Sequence, residues 1–489
     1  MLNLRLKRII LMTSLIVISA FLAIVQLQAN QEEAKLQRLI INRNQKQDYQ
    51  TLFNRAVYKS FTIRFSEDSF DRLLTQMQDY YDLFGNYRDN QMVPVDVIYQ
   101  DGSGNEFAIY EAGFRTKSNT SRNLPLTYDW RGRKVYHQTS FQLQFNATHD
   151  YLEDSNEFVY LNQREVFDLR QINFEYALPF EGRMDEALIT EAFAHQLLEQ
   201  SGIISQKASY GIVYFEIGEE RVGMGLYTLI EPVDSTFIKR HFPSNNANQY
   251  GDLFKATDIN EIKAYLTLDA QTQRGINQNH LNIRYQYALA NNTFLGTRTD
   301  FSKFDQWIQA VNEEQVFGSR PFQYIEVDKL LRFLAMSYLI GNTDDFRNNG
   351  NNYFLYFQAI TNQAIVIPFD YDNALGFGRN QDPSDQYTTN YDLFLPQDAL
   401  NPILSYLLNQ PSYQEIYVNY IEQFIDQFFR VEPFLVELEV ARSLYQEELI
   451  AYNHLGVQVF GNRNVEWYFS AKRTNALAKI EAFRTQIDS

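Results

Sequence analysis

The residues best suited to chemistry lie between Ile340 and Gly378, where acidic and amide side chains flank an apolar, hairpin-like segment. They are Asp344, Asp345, Asn351, Asn352, Asp370 and Asp372. Carboxylate and amide oxygens suit Mg²⁺, which also keeps waters and substrate phosphates as ligands. A base carboxylate, a metal-binding amide and a metal-binding carboxylate after a strand are the groups that kinases use for phosphoryl transfer. The pattern predicts a divalent-metal site. Simple turn formation is the alternative, because Asn and Asp are common turn residues.

The neighbouring elements are suited to holding such a site. The apolar run from Val366 to Phe369 leads straight into Asp370, and Gly376 and Gly378 follow closely. Acidic residues at the end of an apolar strand, beside flexible glycines, often bind ligands. This context favours a binding site over a plain turn.

Composition excludes several classes of function. The 489-residue chain has a formal net charge of −17 and contains no cysteine. Because nucleic-acid binding needs a basic surface, the acidic balance argues against a nucleic-acid partner. The lack of cysteine excludes disulfides, thiol catalysis and cysteine-based metal sites. The histidines show no zinc-binding spacing and no serine lies in a G-x-S-x-G motif, so neither a histidine zinc site nor a serine hydrolase is expected.

The N-terminus resembles an export signal. Arg5, Lys7 and Arg8 precede an apolar run from Ile9 to about Leu27, which predicts a signal anchor or a signal peptide over residues 1–29. By the positive-inside rule the body of the protein would face outward, touching the membrane through this segment only, or would be secreted after cleavage. Residues 30–59 are polar and predict a stalk or a leading helix.

The rest of the chain changes character along its length. Alternating apolar residues predict strands between residues 60 and 255, as in Phe61–Phe65 and Phe141–Phe145. Residues 256–300 are polar and read as an insertion, whereas helical spacing dominates residues 301–489. The longest predicted helices there are 327–339, 402–429, 432–452 and 467–487. The fold class predicted is α+β, with a β-rich N-terminal lobe, a mostly helical C-terminal lobe and the acidic site between them.

Short motifs follow one another in order along most of the chain. They are RTKSNTS at 115–121, QTSFQLQF at 138–145, TEAFAHQL at 190–197 before Gly202, GLYTLIEPVD at 225–234, LFK at 253–255, NTD at 342–344, NNYFLY at 351–356, PFDYDNALGFG at 368–378 and NPIL at 401–404. In type and order these motifs resemble those of the CotH-like atypical protein kinases, a family named for a spore-coat protein. On this resemblance residues 60–489 are identified as a CotH kinase-like domain.

The resemblance implies a two-lobed protein-kinase-like fold that binds ATP together with Mg²⁺ or Mn²⁺. It implies Asp344 as catalytic base and Asn352 and Asp370 as metal ligands. Asp372 would either share the metal or brace the loop. The residues it implies at the nucleotide are Arg115, Lys117, Glu231 and Lys255.

One motif departs from the family pattern. Gln138 lies where members often carry a lysine for the ATP phosphates, and an amide cannot supply that charge. Lys117 is the nearest replacement, with Glu191 as the acidic residue that would hold it, so both are predicted to be catalytic. Ser118 also replaces a glycine, which restricts the local backbone.

The function expected from this resemblance is ATP- and metal-dependent phosphoryl transfer to Ser or Thr of secreted or envelope proteins. Gln138 leaves a rival open, a pseudokinase or surface-assembly protein that keeps the fold for binding. A calcium-stabilised adhesion module that uses the Asp and Asn loops is a further alternative.

Overall fold

The computed structural model describes residues 21–22, 26–27, 30–118, 122–177, 187–244, 250–259, 262–291, 300–376, 389–394, 400–451, 460–461 and 465–488. Most of the predicted signal segment 1–29 lies outside these residues. Within them, no helix is long and apolar enough to cross a membrane.

A closed barrel forms the first part of the described chain. Its strands are β1 (Lys59–Phe65), β2 (Val93–Asp101), β3 (Glu106–Thr116), β6 (Phe141–Gln144), β7 (Gln171–Tyr176), β8 (Ala208–Ile217) and β9 (Glu220–Ile230). The order around the barrel is β1-β2-β3-β6-β7-β9-β8, closed by parallel pairing of β8 with β1. Between β3 and β6 lies a separate hairpin of β4 (Leu126–Tyr128) and β5 (Lys134–Tyr136).

Aromatic side chains fill the barrel. Phe61, Phe114, Phe141, Phe174 and Phe215 are completely buried and contact one another edge-on or stacked. Each comes from a different strand, so alternation of apolar residues along every strand produces one shared interior. The strands predicted over Phe61–Phe65 and Phe141–Phe145 are present as β1 and β6, and they belong to a closed barrel that the strand pattern did not indicate.

Residues 30–57 lie against the barrel and do not form a free stalk. Residues 30–39 are helical, and a short helix follows at Gln45–Leu52. The cation–ring pairs that dock this segment are Lys35 on Tyr151, Arg38 on Tyr110 and Arg43 on Phe107. The long basic side chains of this polar segment thus cover aromatic rings of β3 and of the loop after β6.

A second sheet packs against the helices. It contains β10 (Leu253–Ala256), β11 (Arg274–Gly275), β12 (Tyr287–Leu289), β13 (Tyr353–Phe357) and β14 (Ala364–Pro368) in the order β11-β12-β10-β13-β14. The predicted hairpin is present as β13 and β14, with Tyr353 opposite Pro368. β10, assigned from sequence to the β-rich lobe, pairs with β13 in this later sheet.

Helices make up most of the remainder. Outside the last third of the chain they are Glu67–Phe84, Asn156–Gln163, Thr190–Gln200 and Ser235–His241. Within it they are Ser302–Asn312, Glu314–Ser319, Pro321–Tyr324, Val327–Ile340, Pro402–Asn409, Pro411–Gln427, Val431–Ala451 and Val465–Asp488. The helix predicted over 402–429 is broken at Pro411, because proline cannot donate the backbone hydrogen bond that would continue it.

The barrel and the helices share one core. The helix Thr190–Gln200 packs its apolar residues against both β8 and the helix Val327–Ile340. On the other side Tyr58 and Tyr214 of the barrel donate to the carboxylate of Glu448. The structure is thus a mixed α/β fold in which the helix Thr190–Gln200 links the barrel to the helical region.

Candidate functional site

The open end of the β13–β14 hairpin places two predicted metal ligands side by side. Asn352 precedes β13 and Asp370 follows β14, and the amide of Phe369 donates to the carbonyl of Asn352 over 3.1 Å. Both residues have left-handed backbone, with φ of 51° and 61°. Asn and Asp tolerate this conformation better than other non-glycine residues. Asn342 also donates to the Asp370 carbonyl over 3.1 Å, which fixes the loop after the helix Val327–Ile340 beside the hairpin.

Asp344 is held by amides. Its carboxylate accepts hydrogen bonds from the side chains of Asn349, Asn351 and Asn352, with 3.1 Å to Asn351 and 3.2 Å to Asn352. The side chain is partly exposed. A carboxylate that is oriented by neighbours and reachable from outside is suited to accept a proton from a substrate hydroxyl.

The adjacent Asp345 has a different environment. It is completely buried and accepts hydrogen bonds from the hydroxyls of Ser337 and Tyr371 and from the backbone amide of Asn348. Burial raises the pKa of this carboxyl. Asp345 therefore braces the loop, and Asp344 is the residue of the pair that a substrate could reach.

Two lysines reach this site from separate sheets. Lys117 follows β3 of the barrel and forms an ion pair with Glu175 on β7. Lys255 lies on β10 of the second sheet. Lys117 Nζ is 5.4 Å and Lys255 Nζ is 4.0 Å from the ring centroid of Phe369, the residue before Asp370. The barrel and the second sheet thus deliver two cations to the edge of the acidic hairpin end.

Carboxylates outnumber these lysines. The helix Thr190–Gln200 contributes Glu191, which lies close enough to Asp370 and Asp372 for their charges to act on it. Burial first, and then repulsion from neighbouring carboxylates, raise the pKa of Asp370 to about 6 and the pKa values of Glu191 and Asp372 well above the usual range. Burial and the nearby Lys117 lower the pKa of Lys255 to about 7. Such mutual repulsion favours binding of a cation from outside.

The donor set fits a hard cation in chemistry. Asp370, Asp372 and Asn352 offer the oxygen ligands that Mg²⁺ prefers, and Asn352 keeps its amide oxygen available because its nitrogen donates to Asp344. Among the described residues, however, no three His, Asp or Glu side chains converge on a point that could hold a metal. A cation here would need water or phosphate oxygens in addition to protein ligands, which is usual for Mg²⁺.

Two other predicted residues are engaged by partners of their own. Glu231 is completely buried, forms an ion pair with Arg240 and accepts a hydrogen bond from Tyr49 over 3.1 Å. Arg115 donates to Asn90 and Gln142, each over 2.9 Å. Both therefore have local partners that account for their burial.

The partners of Gln138 and Glu175 could not be predicted from the sequence. Gln138 donates to the backbone carbonyl of Met224 over 2.6 Å, so its amide has a structural use on the barrel. Glu175, which the sequence analysis did not select, is the ion-pair partner of Lys117 in place of Glu191. It lies in the segment QINFEY at 171–176, which no sequence motif marked and which forms β7.

Comparison with known proteins identifies the family to which this chain belongs. The family model described as CotH kinase protein matches residues 132–449. Inner spore coat protein H of Bacillus subtilis (strain 168) is 23% identical over 251 residues, which cover 51% of this chain and 61% of that protein. The match thus spans less than two thirds of that relative's length.

Two solved structures are also similar over parts of the chain. The proinflammatory kinase CtkA of Helicobacter pylori is 12% identical, with a TM-score of 0.22, covering 63% of this chain and 91% of that one. A chain of the HipA, HipB and operator DNA complex of Shewanella oneidensis MR-1 is 10% identical, with a TM-score of 0.24, covering 64% and 57%. TM-scores this low carry no structural argument.

Proposed function

The chain belongs to the CotH kinase protein family, and on that premise we propose that it transfers the γ-phosphoryl group of ATP to a Ser or Thr hydroxyl. The observation that carries the proposal is the meeting of Lys117, Lys255, Asp344 and Asp370 from separate elements at one hairpin end. Cations for phosphates, oxygens for a metal and a reachable base are the groups that this reaction requires.

The residues divide the work as follows in the proposed reaction. Asp344 accepts the proton of the acceptor hydroxyl, and the oxygen of that hydroxyl forms a bond to the γ-phosphorus of ATP. At the same time the bond between the γ-phosphorus and the β–γ bridging oxygen breaks, which releases ADP. Asp370, Asp372 and Asn352 would hold Mg²⁺ or Mn²⁺, which when bound neutralises charge on the phosphate oxygens. Lys117 would contact the phosphates, with Glu175 holding it in place.

The proposal extends to the arrangement of the fold. The barrel supplies Lys117, and the second sheet with its helices supplies Lys255, Asp344 and Asp370. We assign these two parts to the two lobes of a kinase-like protein, with the nucleotide between them.

Transfer can be tested directly with residues 30–489, labelled ATP and Mn²⁺, with and without candidate envelope proteins. Asp344→Asn and Asp370→Asn serve as paired variants, because Asn preserves size and suits the left-handed backbone at Asp370. We expect label transfer by the unchanged protein, nucleotide binding without transfer in Asp344→Asn, and loss of metal-dependent binding in Asp370→Asn. Equal labelling by all three proteins would refute the proposed site.

A binding function without catalysis is the second candidate, and Gln138 favours it. Its amide is engaged by a barrel carbonyl, so the position supplies no cation for the transition state. A thermal-shift panel separates the two. A kinase responds to ATP only with Mg²⁺ or Mn²⁺, an adhesion module to Ca²⁺ alone, and a scaffold to none of them.

We also propose that the protein acts outside the cytoplasm on secreted or envelope proteins, anchored by its N-terminal segment or released by cleavage. The support is the basic group Arg5, Lys7 and Arg8 before an apolar run. Fractionation with N-terminal sequencing tests this. A soluble protein that begins at Asn30 indicates cleavage, and a cytoplasmic pool with an intact N-terminus refutes export.

A further inference from the structure

Positive charge is concentrated at one place beside the candidate site, in a chain whose formal net charge is −17. We call the residues involved the arginine cluster: Arg88, Arg115, Arg122 and Arg284. They come from the loop before β2, from β3, from the segment after β3 and from the polar insertion. Burial, and then the charges of Arg115 and Arg88, lower the pKa of Arg122 to about 9. Arg88 acts on Arg284 in the same way. The guanidinium groups therefore lie near one another.

Amide and carbonyl oxygens accept the hydrogen bonds that Arg115 and Arg122 donate. Asn90 Oδ1 accepts from Arg115 over 2.9 Å and from Arg122 over 3.1 Å, so two cations share one amide oxygen. Arg122 also donates to the carbonyl of Asp89 over 2.6 Å. Within the described part of the chain, neither arginine forms an ion pair, and Arg122 Nε is buried without a hydrogen-bond partner. The carboxylate of Asp89 acts on both arginines, and that of Glu175 is paired with Lys117, so the two arginines keep an excess of positive charge for an outside anion.

The polar insertion brings Arg284 to this place. Tyr80 of the helix Glu67–Phe84 donates to the carbonyl of Asn279 over 2.9 Å and to Asn282 Oδ1 over 3.2 Å. Asn282 has a left-handed φ of 53°, which turns the chain just before Arg284. Among the described residues, the Arg284 side chain has no hydrogen-bond or ion-pair partner. The insertion, which no sequence motif explained, thus carries Arg284 to the helix Glu67–Phe84, and the carboxylate that acts on Arg284, Asp258, is itself paired with Lys263.

The arginine cluster borders the acidic site and is distinct from it. Arg284 is close enough to Lys255 to act on its charge. The strongest charges that act on Asp370 are instead those of Glu175, Lys117, Lys255 and Asp344, with no arginine among them. A phosphate bound at the cluster would therefore lie beside the phosphates that the metal and lysines hold.

We propose that the arginine cluster is an oxyanion subsite that binds a phosphoryl group already present on the acceptor protein. Arginine guanidinium groups bind phosphate oxygens with paired, charge-assisted hydrogen bonds. The preferred acceptors would then be phosphorylated Ser/Thr segments in which one phosphate docks the chain and the next hydroxyl enters the site. Naming the acceptor as the source of the phosphate rests on the proposed kinase function, whereas the subsite itself does not.

The test measures binding without nucleotide or metal. In EDTA, the affinity of residues 30–489 is compared for a short glycine–serine peptide with one phosphoserine and for the same peptide without phosphate. Arg284→Gln is the main variant, because Arg284 lies on a partly exposed loop. Arg122→Gln is the second. Arg221→Gln, a half-exposed arginine of β9 outside the cluster, is the matched control with the same change in charge.

We expect the phosphopeptide to bind at least about tenfold more tightly than its partner, and Arg284→Gln to remove about tenfold of that affinity, as for loss of one charge-assisted hydrogen bond. Arg221→Gln should leave it unchanged, and inorganic phosphate should compete. Equal binding of both peptides, or equal losses in Arg284→Gln and Arg221→Gln, would overturn the subsite. A loss of Mg·ATP affinity in Arg284→Gln without loss of phosphopeptide affinity would assign the cluster to the nucleotide and overturn the acceptor assignment. Phosphopeptide selectivity in a protein that transfers no phosphate would uphold the subsite and refute only the kinase proposal.

Discussion

Replacing Asp370 by Asn should stabilise the metal-free protein at neutral pH. Burial and repulsion from Glu175 raise the pKa of Asp370 to about 6, from about 4 in an unfolded chain. Between those two values the folded state binds the proton more tightly, so the free energy of unfolding falls as pH rises and the full cost is present above pH 6. A shift of this size corresponds to about 3 kcal/mol. Asn removes the charge, keeps the shape and accepts the left-handed φ of 61°.

The measurement is thermal and urea unfolding of both proteins in EDTA from about pH 4 to 8. The variant should unfold about 3 °C higher at pH 7.5, and the difference should disappear as pH falls through 6 towards 4. Saturating Mg²⁺ should raise the midpoint of the unchanged protein but not that of the variant.

Glu220→Gln provides a control of opposite sign. A hydrogen bond from Lys134 lowers the pKa of Glu220, so this substitution should destabilise the protein above about pH 4.5, and the effect should fade as pH falls further through the lowered pKa. A variant Asp370→Asn that is less stable at every pH would refute the placing of Asp370 among repelling carboxylates.

Three further changes test the site and its support. Asp344→Asn should lower transfer by roughly a hundredfold or more while Mg·ATP affinity is kept, as single-turnover and equilibrium binding assays would show; full activity would make Asp344 structural. Lys117→Met should cost far more activity than Glu175→Gln, because the second change frees the lysine without removing its charge; equal losses would assign the ion pair a purely structural role. Gly251→Ala should lower the free energy of unfolding by about 1–3 kcal/mol, since its Cβ would lie 1.6 Å from the carbonyl oxygen of Phe357; unchanged denaturation would show that β10 and β13 can separate freely.

The local part of the site was predictable from sequence. Alternation and turn residues fix a short hairpin, and a hairpin fixes which residues meet at its open end, so Asn352 and Asp370 could be paired without a structure. The end of the preceding helix was equally local, because Gly341 adopts a φ of 71° as its C-cap.

The long-range part was not predictable. The pairing of Lys117 with Glu175 depends on the order of β3, β6 and β7 around the barrel, which no local pattern specifies. Glu231 forms an ion pair with Arg240, nine residues further on, because a buried carboxylate needs a nearby cation whatever motif it lies in. The polar insertion shows no periodic spacing of apolar residues from which its elements could be predicted. Its short strands are held by side chains such as the Tyr287 hydroxyl, which accepts from the backbone amide of Leu266 over 2.7 Å.

Burying several carboxyl groups in one site lowers the stability of the fold, and this loss helps to distinguish catalysis from simple binding. Burial first, and then repulsion from neighbouring carboxylates, raise the pKa values of Glu191 and Asp372 well above the usual range. Carboxyl groups buried among other carboxylates contribute less to stability than apolar residues of the same size would. A protein that only displayed this surface to a partner would gain nothing from these buried groups. A bound cation would turn the same groups into ligands and offset the cost with binding free energy. The lysines and the arginine cluster at the border then supply the opposite charge for phosphates. This separation of charge suits a metal–phosphate substrate better than a peptide ligand alone.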